Sequence, residues 1–489
     1  MPRPSWLIEM PMHHKSALLS ALLLTAACTT GPDYHGPGDA APVAPPSFAR
    51  GAVGTGALET AQPWWTSLRD PILDQLMGQA LSANPRLDVA ATRIRQARST
   101  LRQRKADGLP TINGSALYAK ARLPGQSEDG DATTLDLYNL GFDASWELDL
   151  FGGHHRAVEA ARADVAASEA SLDDARVSLS AEVAQNYVDL RDRQQRLALG
   201  MQALALQDEE VALTRQRFER GTIARGDLLL QEVGRDGARA RLTPLRAEID
   251  ALKDKLAILT GATPGTLDAL LEPSAPLPLP PAQVAVGDPA TLLQRRPDIR
   301  AAERKLAAQT ARIGVADAAR FPHISFLGLI GLGGSSPEDL VDLDKFTIAA
   351  VPRISWTFLD FGKARARVTA AEAQRDEAAA NYRAAVLAAL QDAEGALSRF
   401  HHQREGLADL VRAEQQAKAA AELARQRSEA GTISRINYRI AQRQALGATQ
   451  AKVQAMAALT DSFISLQKAL GLGWQGAGGG QGAEAPAVR

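Results

Sequence analysis

The chain has one cysteine, Cys28, in 489 residues. An internal disulfide and a thiolate-based metal site are both excluded. Aromatic residues are scarce, at 5%, which suits closely packed helices better than a large globular core. Neither sign of charge dominates, with 55 Lys and Arg against 56 Asp and Glu. The basic footprint of a nucleic-acid binder is missing, so nucleic acid is not an expected partner. The apolar run at 17–24 falls short of the roughly 20 residues that a membrane-spanning helix needs. No nucleophile elbow, P-loop or zinc-spaced histidine cluster appears. The adjacent pairs His154-His155 and His401-His402 would point about 100° apart on a helix, as solvated side chains rather than metal ligands. No catalytic residue, cofactor or metal is expected.

What the chain does have is a duplicated turn. Gly221-Thr222-Ile223-Ala224-Arg225 and Gly431-Thr432-Ile433-Ser434-Arg435 lie 210 residues apart, each between long stretches of helical periodicity. Each reads as the tight end of a helical hairpin. Glycine leaves the helix cheaply because it tolerates positive φ, and the following Thr or Ser can cap the returning helix. Two such turns imply an internally repeated protein. The repeat extends along the chain. Asn84-Pro85 matches Arg296-Pro297, and Leu109-Pro110 matches Phe321-Pro322, both 212 positions on. Trp146 and Trp356, Phe151-Gly152 and Phe361-Gly362, and Gly261 and Gly471 match at 210. Between the two sets lies a net loss of two residues, in a region that should be a pair of strands and their loop.

Taken in order, residues 1–27 read as a secretory signal, with Lys15, the apolar run and small Ala26 and Ala27 before Cys28. The only cysteine stands where a bacterial lipoprotein carries its acylated one, two places after Ala26 and three after Thr25. Residues 28–69 form a lipid-anchored extended tether rich in Pro, Gly and Ala. The first structural repeat covers 70–262. It comprises a helical pattern from Asp70-Pro71 to about Gly108, strands near 110–122 and 135–150, and a helical hairpin near 153–260. A Pro-rich connector spans 263–287. The second repeat covers 288–474, with strands near 321–332 and 345–360 and a hairpin near 363–471, and 475–489 is a disordered tail. Val183, Leu190, Leu197, Leu204, Val211 and Phe218 recur every seven residues as a coiled-coil seam. Pro244 should kink or restart the returning helix of the first hairpin.

The second strand carries the clearest local pattern. Leu140, Phe142, Ala144, Trp146, Leu148 and Leu150 alternate with Asn139, Gly141, Asp143, Ser145, Glu147 and Asp149. Such a strand meets two different solvents, either as a half-buried sheet or as a transmembrane strand, apolar outward and polar inward. Trp146 and Trp356 would suit an aromatic girdle at the membrane surface, or equally ordinary packing. Four strands cannot close a membrane barrel alone, and an open edge is not tolerated in lipid. Several copies would therefore share one barrel, and three would leave room for a lumen.

These features resemble the TolC-like outer membrane factors, specifically the NodT-type lipoproteins of tripartite efflux systems. The resemblance is carried by Cys28 with GPDYHGP (31–37), PWWTSLRDPILDQL (63–76), WELDLFG (146–152), LLQRRPDIRAAE (292–303), WTFLDFG (356–362) and the two GTI turns. It implies a mostly α protomer with a β-barrel part. Three protomers would form a 12-stranded β-barrel in outer-membrane lipid and a 12-helix α-barrel crossing the periplasm. The implied partners are a periplasmic adaptor and an inner-membrane pump, usually of the resistance–nodulation–division type. The turns, with Gly221, Thr222, Ile223, Gly431, Thr432 and Ile433, would be the tips where the adaptor docks. The periplasmic gate would fall on Ile436, Asn437, Ile440 and Arg443, with Asp227 as the acid of the first repeat. Ile440 stands where relatives carry an acid, so a more apolar neck is expected. A scaffolding coiled coil such as an adaptor is the other non-enzymatic reading, but adaptors do not carry two copies of strand–strand–helix–helix.

Overall fold

The computed structural model describes residues 29–42, 44–50, 63–123 and 133–474. The signal segment 1–27, Cys28, part of the tether (51–62), the stretch 124–132 and the tail 475–489 lie outside the described residues. Two compact units divide the chain. One comprises the N-terminal stretch to Ala41 with Arg93–Ser168 and Ala302–Tyr382. The other comprises Pro42–Thr92, Glu169–Ala301 and the stretch from Arg383 onward.

In the second of these units, Asp70 starts helix α1 (Pro71–Ala83), its carboxylate accepting from the amides of Ile72 at 2.9 Å and Leu73 at 3.1 Å. Pro71 occupies the first helical position, where a missing N–H costs nothing. Leu73, Leu76, Met77 and Ala80 are wholly buried. The helical pattern expected to run to about Gly108 is in fact broken at Asn84. Pro85 forces the residue before it out of the helical region, and Asn84 sits at φ −73°, ψ 123° before α2 (Pro85–Ala106) begins.

Beyond the strands, α3 spans Gly153–Glu219, 67 residues, or roughly 100 Å at 1.5 Å per residue. Its seam is buried at Val183, Leu190 and Val211, while Phe218 beside the turn is exposed. The return is made by α4 (Arg225–Ala240) and α5 (Leu242–Leu259). The break at Arg241 follows from Pro244, which has no N–H to give the Ala240 carbonyl four residues back and whose ring collides with it. After the short α6 (Asp268–Leu271) come α7 (Pro289–Arg295) and α8 (Pro297–Ala318). Arg296 between them repeats the extended geometry of Asn84, at φ −63°, ψ 122°. The second hairpin is α9 (Lys363–Glu429) and an unbroken α10 (Arg435–Ala469).

The repeat holds at the level of single hydrogen bonds. The Asn84 side chain donates to the Leu259 carbonyl at 2.7 Å, and the Arg296 side chain donates to the Ala469 carbonyl at 2.9 Å. The Trp146 indole N–H donates to the Gly108 carbonyl at 3.0 Å, and that of Trp356 to the Arg320 carbonyl at 3.1 Å.

The first unit contains one four-stranded antiparallel sheet in the order β1 (Thr111–Leu123), β2 (Thr133–Leu148), β3 (His323–Gly334), β4 (Phe346–Ser355). β4 ends at Ser355, so Trp356 and Phe358, expected within the strand, follow it. The hairpin ladders of the two repeats correspond residue for residue: Thr111 faces Ser145 and His323 faces Ser355. Among the described residues, no helix is long and apolar enough to cross a membrane.

Candidate functional site

The register decides which side chains share a face of the sheet. Residues directly opposite point the same way. One face therefore gathers Ile112, Gly114, Ala116 and Tyr118 with Tyr138, Leu140, Phe142, Ala144 and Trp146. It continues through Ile324, Phe326, Gly328, Ile330 and Leu332 to Phe346, Ile348, Ala350, Pro352 and Ile354. The large members are open to solvent: Phe142 is 60% exposed, Ile348 72% and Ile354 69%. A contiguous exposed apolar face of this kind marks a surface that water does not cover in use. The opposite face is mixed: Asn113, Asn139, Asp143, Glu147, Arg353 and Ser355 share it with Leu117, Leu137, Leu327 and Val351, and there Glu147 meets His323 at 2.8 Å.

Aromatic pairs stand near both ends of the apolar face. At one, Tyr118 and Tyr138 stack at 4.8 Å, and the next pair outward is the ion pair of Lys120 and Asp136 at 3.4 Å. At the other, Trp146 stacks on Phe326 at 6.1 Å. Tyr138 to Trp146 is nine residues along β2, and a tilted membrane β-strand crosses the bilayer in about 9–11. The sheet thus has the strand length and the aromatic girdles of a barrel wall, with β1 and β4 left as open edges.

The residues that follow Cys28 are fixed to the base of this sheet. Thr30 donates to the Phe151 carbonyl from both its amide, at 3.1 Å, and its hydroxyl, at 3.0 Å. The Arg156 guanidinium is 4% exposed and holds the strap by bonds to the carbonyls of Thr30 at 3.1 Å and Gly31 at 3.3 Å and to Asp33 at 2.5 Å. Tyr34 donates to Glu303 at 2.7 Å. Gly31 lies at φ +85°, and a Cβ there would stand 2.4 Å from the Gly314 Cα. The sequence gives no local sign of this clamp, because its members are more than 100 residues apart.

The two turns close alike. Gly221 (φ 69°) and Gly431 (φ 75°) take the left-handed conformation. The Thr222 amide bonds the Arg217 carbonyl at 2.9 Å, and the Thr432 amide bonds the Arg427 carbonyl at 2.8 Å, which is the Schellman closure. The Thr222 and Thr432 hydroxyls donate to those same carbonyls, at 2.8 and 2.9 Å, so they finish the outgoing helix rather than cap the returning one. Ser434 caps α10 through the Asn437 amide at 3.2 Å. Ala224 has no such oxygen, and Asp227 reaches back to its amide at 3.2 Å instead. Asp227 is therefore occupied as a helix cap. Ile223 and Ile433 are half-buried, and nothing lies within 4 Å of a Cβ built on either turn glycine.

On α10, Ile436, Ile440 and Arg443 follow one another at helical spacing, all half-buried, while Asn437 is exposed. Sequence reasoning missed their ionic neighbours on α3. Arg439 pairs with Glu209 at 2.5 Å, and Arg443 lies 3.5 Å from the buried Glu210. Burial pushes the Glu210 carboxyl up, and the two arginines pull it down. The adjacent acids on one helix and arginines four apart on another were the available signal. Among the described residues, one group could hold a metal ion: His401, His402 and Glu405, with candidate ligand atoms within 4.8 Å of one another. Both imidazoles already face the Glu405 carboxylate, at 3.5 and 3.2 Å.

A duplicated chain with a lipid-facing sheet, open sheet edges and long helical hairpins is a channel protomer. A family model described as "Outer membrane efflux protein" matches it in both halves, at residues 76–262 and 289–472. The chain belongs to that family. It is 32% identical to the outer membrane protein OprJ of Pseudomonas aeruginosa over 475 residues, 95% of this chain and 96% of that protein. It is 31% identical to nodulation protein T of Rhizobium leguminosarum bv. trifolii over 457 residues, 92% of this chain and 96% of the other. Among solved structures, the outer-membrane channel OprN superposes with a TM-score of 0.84 at 35% identity, covering 92% of this chain and 100% of that one. The protein is an outer-membrane efflux channel component, and its fold is the duplicated protomer of a trimer.

Proposed function

We propose that three copies of this chain close one barrel in the outer membrane and form the exit duct of a tripartite efflux system. A periplasmic adaptor docks on the two glycine turns, and an inner-membrane pump of the resistance–nodulation–division type drives solutes through. The observation that carries this reading is the sheet with an exposed apolar face, long enough along β2 for a tilted membrane strand, and two unpaired edges. Lipid forbids open edges, so copies must pair them, and three sheets of four strands make a barrel wide enough to conduct. The turns support docking because they are exposed at their glycines and nearly identical in sequence and closure. The strap supports lipidation of Cys28, since the next residues are held at the base of the membrane-facing sheet. Ile436, Asn437, Ile440 and Arg443 form the neck, more apolar than one carrying an acid at Ile440.

Fractionation and mass spectrometry test this directly. The protein should leave the outer-membrane fraction only with detergent, run as a trimer that heat dissociates, and carry acyl mass on the peptide that begins at Cys28. It should restore pump-dependent export when its adaptor and pump are co-expressed. A water-soluble monomer would end the channel reading. An unmodified Cys28 in an otherwise normal trimer would end only the lipid anchor.

A further inference from the structure

Two adjacent histidine pairs lie among the described residues, and the fold treats them differently. His154 and His155 open α3, where their backbone amides donate to the Asp149 carboxylate at 3.1 and 2.8 Å. That acid is committed as a helix cap, and the His154 ring packs against Gly108, where an added Cβ would stand 2.5 Å from its Nε2. His401 and His402 lie in the interior of α9, and there the side chains themselves converge. A helix turns about 100° per residue, so Glu405 falls about 40° round from His401, between the two histidines. Its carboxylate meets both rings, with one oxygen 3.5 Å from His401 Nε2 and the other 3.2 Å from His402 Nδ1. The three residues can each offer one ligand atom, all within 4.8 Å of one another. Adjacency on the helix is therefore no bar to a shared ligand, because the third donor comes from the next turn and sits between the first two.

We infer that His401, His402 and Glu405 bind one divalent transition cation, Cu²⁺ more tightly than Zn²⁺. Two imidazoles and a carboxylate suit that class of cation, and affinity at such a site rises to Cu²⁺ and falls back at Zn²⁺. Mg²⁺ and Ca²⁺ want oxygen ligands and are not held by imidazole. Bonds of about 2.0–2.1 Å place neighbouring ligand atoms roughly 3.0–3.4 Å apart, so the carboxylate already stands close to bonded spacing from each ring. Only the two rings must draw together, and their side chains are 42% and 71% exposed. All three donors approach from one helix, which leaves the far side of the cation to water.

The duplication shows that these residues are not spent on packing. Their counterparts, 210 positions back, are Arg191, Asp192 and Gln195. Arg191 is wholly buried and donates to the Pro273 carbonyl at 2.7 Å, and Gln195 donates to the Ala275 carbonyl at 3.0 Å. Asp192 is buried too and accepts from Arg193 and Arg196. The first repeat thus uses this stretch to hold the connector, whereas the second presents two imidazoles and a carboxylate to solvent. Arg404, the cation next to Glu405 in sequence, folds back over the Phe400 ring at 5.9 Å. The site needs no second copy, since every donor comes from one chain.

Metal titration of the purified protein in detergent, carrying no histidine tag, tests the site. Calorimetry with Cu²⁺ should show a site that His402→Asn and Glu405→Gln each weaken at least about ten-fold. His154→Asn with His155→Asn should leave it unchanged, and Mg²⁺ in large excess should not compete. Electron paramagnetic resonance of the bound Cu²⁺ should show coupling to two imidazole nitrogens, reduced to one in His402→Asn. All three positions are exposed on a helix surface, so circular dichroism should show every variant folded as the parent is. Zn²⁺ should bind at the same residues and be displaced by Cu²⁺. If the parent takes up no Cu²⁺, or if the His402 and Glu405 variants bind it as tightly, the site is overturned. The channel reading would stand in either case, because export and trimer formation do not depend on this metal.

Discussion

Asp461 on α10 shows how a single residue can set a pH dependence. Its Oδ1 is buried without a partner. Burial, then the neighbouring Asp189 and Asp192, push its carboxyl up to about 7, against a smaller downward pull from Arg193. The surrounding charges come from two more sources: Arg196 on α3 bonds Asp192, while Glu248 on α5 bonds Arg193. A carboxyl raised above its unfolded value costs stability where it must ionise. The cost is absent below about pH 4, grows as pH rises and is complete above about pH 7. Asp461→Asn should therefore stabilise the fold by up to about 4 kcal/mol at pH 8 and change little at pH 4. Thermal midpoints followed by circular dichroism across that range would show the two proteins coinciding near pH 4 and diverging progressively up to about pH 7. Equal midpoints throughout would mean that Asp461 titrates normally. Nothing in the sequence marks Asp461, because its two acidic neighbours lie more than 250 positions away on another helix.

At the scale of elements, legibility followed locality. The glycine turns, the caps that begin with Asp70 and Ser434 and the alternation of β2 are written in neighbouring residues, and the sequence shows them. The break at Asn84 was visible as a motif but not as a helix end, since apolar spacing continues through it. The hydroxyls of Thr222 and Thr432 bond backward rather than forward, a choice that only the φ of the preceding glycine decides. Composition marks the strap only as an extended tether, and its anchoring by Arg156 and Gly314 is tertiary. That anchoring is testable. A Cβ on Gly314 would lie 2.7 Å from both the Thr30 carbonyl oxygen and the Arg156 Cγ. Gly314→Val should lift the strap off while leaving helix content unchanged, and cleavage within residues 29–50 by a broad protease should quicken about ten-fold. Unchanged cleavage would show that the strap is held by something other than this clamp.

For the molecule as a whole, the decisive information was the duplication, because two copies of one strand pair and helical hairpin make up most of the chain. It does not reach the proposed neck, where the repeats differ. The first returning helix is broken by Pro244 and capped by Asp227, whereas α10 is continuous and presents Ile436, Ile440 and Arg443. A ring of three equivalent apolar side chains can close a pore by excluding water, without any charge of its own. Arg439 and Arg443 would then act from the side, tying α10 to Glu209 and Glu210 of α3 and holding the isoleucines in place. The two contributions separate in planar bilayers. Ile436→Ala with Ile440→Ala should raise single-channel conductance roughly two-fold or more at every salt concentration, since it widens and wets the neck. Glu209→Gln should also raise it, but by an amount that shrinks in high salt, where the exposed Arg439–Glu209 pair is already weakened by screening. If the isoleucine pair leaves conductance unchanged, the constriction lies elsewhere on the chain.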